Sequence, residues 1–315
     1  QVRVEAGERQ QGFAPTANRG VAVARFGLVY LVNNDVALEP ATLPPLAAHF
    51  TDPQVFAVAS QVYDYSTGVL SGAGQLGEFR RGFLGIHRRY FIQRPPTGHP
   101  SGHDFSRAEK EPKKEAALAP EVTPAEPFLT LYASGGAAMF DREKFLALGD
   151  FDELFAPFGW EDVELGLRAW KQGHEVHFEP RSAAWHQFSS TITPHYARRH
   201  VRAIYERNRL LVHWLHLDTP AEATAHGFFL LLKLLASPFL GRWELPSALA
   251  QAVAHWEEVR ARREKFRAVQ QRELQDVLQA LADHLRRPEV QLLTPRTAPA
   301  RPYPHFRSSP PGRSR

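Results

Sequence analysis

Gly27-Leu28-Val29-Tyr30-Leu31-Val32-Asn33-Asn34-Asp35 is an apolar run that stops abruptly at three polar residues. Its length and its β-branched and aromatic content predict a buried strand. Upstream, Thr16 to Arg25 carries Val21, Val23 and Ala24 and reads as a helix. Downstream, Pro40 to Phe50 reads as a helix and Val55 to Ser60 as a second buried strand. This rhythm predicts an α/β domain, its sheet mixed but mostly parallel and covered by helices on both faces. Open sheets of this kind bind ligands beyond the carboxyl ends of their strands, where Asn33 and Asp35 fall. A carboxylate there, with an oxygen-bearing side chain two residues back, can hold Mg²⁺ or Mn²⁺ against a diphosphate. The same triplet also makes an ordinary turn.

The chain has 315 residues, 43% of them hydrophobic, enough for one large domain with an appendage or for two domains. It has no cysteine, which excludes a disulfide framework, a thiolate zinc site and a cysteine nucleophile, and fits a cytoplasmic setting. No charged stretch followed by an apolar segment is visible after Gln1, so no secretory signal is expected. The net charge of +4 lies mostly in the last third and suits phosphorylated ligands or an anionic membrane surface. The basic residues are not interleaved with a nucleic-acid-binding module, so no nucleic-acid partner is expected.

Three further stretches carry chemistry. In Tyr132-Ala-Ser-Gly135-Gly136-Ala-Ala-Met139, paired glycines after a strand allow close backbone approach to a ligand, or a tight packed turn. Gly149-Asp-Phe-Asp-Glu-Leu-Phe155 is followed by Phe158-Gly-Trp160-Glu161-Asp162-Val-Glu-Leu-Gly-Leu-Arg168, which puts two carboxylates at the start of a predicted helix. Acids there can simply favour the helix dipole. An aromatic beside a carboxylate also suits a sugar, and a carboxylate can act as general base on a hydroxyl. Finally, Trp185-His186 follows the predicted strand Glu175 to Phe178. An imidazole there can be structural or can ligate a metal.

Taken in order and spacing, these stretches resemble family 2 glycosyltransferases, especially the rhamnosyltransferase-like bacterial branch. The matching pieces are Gly12 to Gly20 with Asn18, Val32-Asn33-Asn34-Asp35-Val36, Gly135-Gly136, Gly149 to Glu153 with Trp160-Glu161-Asp162-Val-Glu-Leu, Trp185-His186, and Glu206-Arg-Asn208-Arg. The resemblance implies a GT-A, Rossmann-like fold over residues 1–213 and inverting transfer from a nucleotide-sugar donor. By resemblance, Asp35 binds a divalent cation, with Asn33 as a weaker or water-mediated partner and His186 as a further ligand. Asp162 is the base, Glu161 and Trp160 position sugars, Gly135 and Gly136 line the donor sugar, and Asn18 lies on the substrate side. The acceptor implied is a glycan or a lipid-linked sugar in cell-envelope or exopolysaccharide synthesis. Two departures stand out. Asn33 replaces the usual first acid of the metal motif, and the family's opening strands are not visible before Gln1. They leave as the alternative a catalytically impaired module of the same fold that binds glycans or partners.

Residues 94–127, rich in Pro, Lys, Glu and Ala, read as a mobile loop. Residues 214–287 read as a helical extension that is membrane-surface or oligomerising. Within it, 227–240 is apolar but broken by Lys233 and Pro238, and 249–287 reads as one long amphipathic helix. Residues 288–315, rich in Pro, Arg and Ser, read as a disordered tail.

Overall fold

The computed structural model describes residues 11–92, 126–187 and 197–299. The expected mobile loop falls almost wholly outside them. The chain opens with helix α1 (Phe13–Val23), strand β1 (Leu28–Val32), the short strand β2 (Val36–Leu38), helix α2 (Leu43–Ala47) and the long strand β3 (Val55–Asp64). Further along come β8 (Ala137–Asp141), α3 (Arg142–Leu148), α4 (Glu161–Lys171) and β9 (Glu175–His186). The main sheet runs β1-β8-β3-β9-β2, with β4 (Leu70–Gly72) added to β3 and β7 (Phe128–Leu129) added to β9.

The sheet is mixed, with helices on both faces. β1 alternates: Leu28 and Tyr30 pack in a small cluster with Leu46, Phe50, Val58 and Met139, and Val29 and Leu31 face the large core with Phe140 and Phe178. Its strand directions correct the expectation of a mostly parallel sheet. Only β3 and β9 pair in parallel among the described strands. β8 sits between β1 and β3 and runs against both. Hydrophobic periodicity reports burial and is blind to strand direction, which explains the miss.

A second sheet, β10-β6-β5, is built from β5 (Gly74–Arg80), β6 (Phe83–Ile92) and β10 (Val290–Leu292). Arg80 pairs with Phe83 across a two-residue turn in which Arg81 and Gly82 have φ of 50° and 70°. Positive φ at both central positions is what a tight right-twisted hairpin requires. A side chain at Gly82 would also strike the Ala225 carbonyl oxygen at 2.4 Å.

The C-terminal helices are α5 (Arg198–His216), α6 (Pro220–Ala236), α7 (Glu244–Ala254), α8 (Trp256–Val269) and α9 (Leu274–Asp283). They share the main core: Leu210, Leu211, Val277, Leu278 and Leu281 are buried with Trp170 and Phe178. The single helix expected over 249–287 is three: a break at His255 separates α7 from α8, and tertiary partners take the backbone groups at the break between α8 and α9. Gln271 N donates to Lys171 O at 2.7 Å, and Leu274 N donates to the Asp218 carboxylate at 2.6 Å. The expected disordered tail is also corrected over its described part. Val290–Leu292 extends β6, and Leu293 N donates to Arg89 O at 2.7 Å.

Candidate active site

β1, β3 and β9 point the same way and β8 opposes them, so one edge of the sheet gathers the ends of β1 and β9 with the start of β8. On that edge His186 Nε2 lies 3.1 Å from Asp35 Oδ1, because β2 pairs Val36 with His186. Gln187 N donates to Asp35 O at 2.9 Å and fixes the turn. Asn33 N donates to Gly136 O at 3.1 Å, and a side chain at Gly136 would come within 2.9 Å of Asn33 Nδ2. Gly136 thus leaves room for the Asn33 amide. The structure therefore brings Asn33, Asp35, Gly136 and His186 together. Carboxylate, imidazole and amide oxygen are donors that Mn²⁺ or Mg²⁺ accepts, so the residues present fit a divalent cation. Among the described residues no three His, Asp or Glu side chains cluster closely enough to hold one unaided.

Two sequence-derived site residues serve packing. Gly135 is buried, and the space its side chain would fill is taken by the Phe13 ring, 2.5 Å from the ideal Cβ. Asn18 is expected on the substrate side, but both ends of its amide are used on Phe151. Nδ2 donates to Phe151 O at 2.8 Å and Oδ1 accepts from Phe151 N at 3.0 Å. It docks α1 onto the Gly149–Phe155 turn.

Glu161 and Asp162 open α4. The backbone before them is left-handed at Gly159 (φ 91°) and Trp160 (φ 74°), unfavourable for tryptophan. Asn208 of α5 holds it there. The fully buried Nδ2 faces three carbonyls, Phe155 O at 2.8 Å, Phe158 O at 3.0 Å and Gly159 O at 2.7 Å, and Arg207 Nε donates to Asn208 Oδ1 at 2.8 Å. Trp160 is half-buried against the core. Tyr205, also on α5, is more exposed and lies over Gly159, with its ring 5.9 Å from that of Phe158.

The two carboxylates differ in environment. Glu161 is buried, with Oε2 lacking a hydrogen-bond partner. Burial, and then the charge of Asp162, push it up to about 8. Burial also raises Asp162, to about 6, but Val163 N donates to its Oδ1 at 2.8 Å and the Ser134 hydroxyl donates as well, which hold it lower. Both carboxyls are thus raised, Glu161 the more, and their mutual repulsion disfavours ionising both at once. Environments that separate two carboxylates in this way assign an acid and a base. Burial and then the nearby Asp162 raise the Tyr132 phenol strongly; Arg89 and Tyr205 border the same space.

Ser134, Tyr132 and Tyr205 are site residues that reading the sequence missed. Tyr132 and Ser134 lie in the quoted glycine turn but carry no spacing signal of their own. Tyr205 is distant in sequence, and only the packing of α5 delivers it. Ser134 joins the halves of the site, since it donates to Asp162 while its own carbonyl accepts from Ala137 N at 3.1 Å beside Gly136.

The raised Glu161 carries a stability prediction. Between about 4.5, the ordinary value, and about 8, the folded chain keeps a proton that the unfolded chain has released. Its contribution is therefore fully present below about 4.5 and is lost as pH rises through about 8. Glu161→Gln removes the ionisation, so its melting temperature should exceed wild type at pH 8.5 and the gap should shrink toward pH 5. Equal gaps at the two pH values in thermal denaturation would contradict a buried, protonated Glu161.

No family model matches the chain. Polypeptide N-acetylgalactosaminyltransferase 3 of Drosophila melanogaster is 31% identical to it over 83 residues, 26% of this chain and 12% of that protein. Among solved structures, GalNAc-T7 with UDP, GalNAc and Mn²⁺ superposes with a TM-score of 0.55 at 15% identity, over 89% of this chain and 45% of that one. The mannosyltransferase PcManGT from Pyrobaculum calidifontis, with GDP-Man and Mn²⁺, reaches a TM-score of 0.38 at 18% identity over 89% of this chain and 68% of its own, too low to bear on the fold. The chain spans less than half the length of the first two. With the sheet order and the motif positions, the likeness to GalNAc-T7 establishes the architecture: the described residues form a GT-A fold.

Proposed function

We propose that this chain is a glycosyltransferase that moves a sugar from a nucleoside-diphosphate donor to a hydroxyl of a glycan or lipid-linked acceptor. One observation carries the reading: the turn at 132–137 borders both pairs, holding the Asn33–Asp35 segment through Gly136 and neighbouring Asp162 through Ser134. The sheet edge at Asp35 and His186 is where an α/β sheet binds ligands. A divalent cation, Mn²⁺ or Mg²⁺, held by Asp35 and His186 with Asn33 nearby, would neutralise charge on the departing diphosphate.

The chain's own residues supply the rest. Asp162, ionised above about 6, takes the proton of the acceptor hydroxyl. Glu161, protonated at neutral pH, has a hydrogen to donate to a sugar oxygen. Tyr205 offers an aromatic face beside both carboxylates. With Asp162 as base the acceptor attacks the anomeric carbon directly, so the configuration inverts. The resemblance to family 2 extends the proposal to polysaccharide synthesis at the cell envelope, from the cytoplasmic side.

Incubation with UDP-, GDP- and dTDP-sugars in the presence of Mn²⁺ and a panel of glycan acceptors tests this. The expected result is release of one nucleoside diphosphate matched to a glycoside whose anomeric coupling in proton NMR is opposite to the donor's. A product of retained configuration would remove Asp162 as base, and absence of turnover with every donor would remove the reading.

A further inference from the structure

Helix α6 buries one stripe and leaves another bare. Glu222, His226 and Leu230, spaced by four, face the protein, and His226 Nδ1 meets Gly82 O at 2.7 Å. On the other side Phe228, Leu231, Leu232 and Leu235 are each at least 44% exposed. The apolar surface continues past the helix end through Leu240 and Trp243, and Phe239 is 91% exposed. Large side chains at i, i+3, i+4 and i+7 form a continuous stripe, which scattered surface leucines do not.

Cations rim this stripe. Arg80 and Arg81 stand at the β5–β6 hairpin tip, which packs on α6 through Gly82. With Arg209, Lys233 and Arg242 they line a groove of about 800 Å³ between the hairpin and α5–α6. Glu78, Glu206 and Glu244 also line it, leaving cations in excess, and Phe229, Leu232 and Leu240 form its apolar part. The Lys233 ammonium lies 3.4 Å from the Phe83 ring centroid, and the Arg209 guanidinium lies 4.8 Å from the same ring. Partial burial, with Arg209 and Arg242 close by, lowers Lys233 to about 8, so an anion placed here would be stabilised.

We propose that this face docks on a bilayer surface rich in anionic phospholipid. In that pose α6 lies in the plane of the interface, with Phe228, Leu231, Leu235 and Phe239 in the acyl boundary and Arg80, Arg81, Lys233 and Arg242 among the headgroup phosphates. A protein partner's apolar face would meet the stripe but would leave the cations facing it uncompensated. A lipid surface satisfies both, and an exposed Trp243 at the end of the stripe suits the headgroup boundary. No helix among the described residues is long and apolar enough to cross a membrane, so the contact is one of surface docking. This inference stands apart from the transferase reading.

Vesicle flotation of the full chain is the test, with phosphatidylcholine alone and with phosphatidylcholine mixed with phosphatidylglycerol. Binding should favour the mixed vesicles by roughly tenfold or more and weaken with salt. The pair Leu235→Glu with Phe239→Glu should abolish it, and Lys233→Glu with Arg242→Glu should reduce it to the level seen on neutral vesicles. All four positions are exposed, so unchanged melting curves will verify that the variants fold. Three outcomes would overturn the proposal: equal binding to neutral and anionic vesicles, undiminished binding by either double variant, or a wild-type dimer that the Leu235 and Phe239 changes dissociate while vesicles capture nothing.

Discussion

Asp162→Asn is expected to lower kcat for sugar transfer by about 10²–10⁴-fold while the protein folds and binds nucleotide as before. The amide keeps the shape of the carboxylate and an oxygen to accept from Val163 N, so the start of α4 stays in place. It cannot take a proton from the acceptor hydroxyl. The substitution also removes the charge that helps push Glu161 up, so Glu161 should titrate lower in the variant. Two measurements check this. Steady-state kinetics on the wild type should show activity rising with pH through about 6, the Asp162 value, and the residual activity of the variant should lack that limb. A variant retaining more than a tenth of wild-type kcat, with the limb intact, would assign the base elsewhere.

The largest effect on stability is expected at Glu164, one turn into the same helix. Its side chain is fully buried, and its carboxylate accepts from Arg168 Nε at 3.0 Å and from Arg168 Nη2 and meets His216 Nε2 at 3.2 Å. Burial alone would raise its pKa, but the Arg168 guanidinium and the His216 contact overcome it and hold the group near 2. Arg168 also donates to Leu148 O and to Asp150 O at 2.9 Å, so the pair locks α4 to the Gly149–Asp150 turn. Glu164→Gln leaves the buried guanidinium without its counter-charge, and removing one partner of such a pair costs about 3–5 kcal/mol. Urea denaturation at pH 7 should show that loss. A cost below about 1 kcal/mol, typical of a surface pair, would mean the pair is solvated. The carboxylate's contribution is present above the ordinary value of 4.5 and is lost as pH falls toward 2, so the gap between variant and wild type should close below pH 4.5.

Local features were legible in the sequence. The strand before Asn33 and the acidic start of α4 depend on neighbouring residues, and both lie where the run of side chains indicates. His186 was legible as a strand-end imidazole, but its contact with Asp35 needs the β2–β9 pairing, which no spacing in the chain records. Asn18 misled because a polar residue in a motif-like stretch can serve a backbone turn as readily as a ligand. The β5–β6 hairpin was hidden because its turn is Arg81-Gly82 and lacks the Asn-Gly or Asp-Gly pair that usually marks it. The break between α8 and α9 was illegible because the groups that hold it, the Lys171 carbonyl and the Asp218 carboxylate, lie some fifty or more residues upstream.

In the proposed reaction the sheet edge at Asp35 and His186 receives a nucleoside diphosphate with a divalent cation. Thermal denaturation of the wild-type chain and of Asp35→Ala, with UDP, GDP or dTDP and with Mn²⁺, Mg²⁺ or EDTA, tests it directly. One nucleotide should raise the wild-type melting temperature only when the metal is present, and Asp35→Ala should lose that rise while melting normally without ligand. A rise that is indifferent to EDTA, or one that survives in Asp35→Ala, would contradict the assignment, as would a folded wild-type protein that no nucleotide and metal pair stabilises.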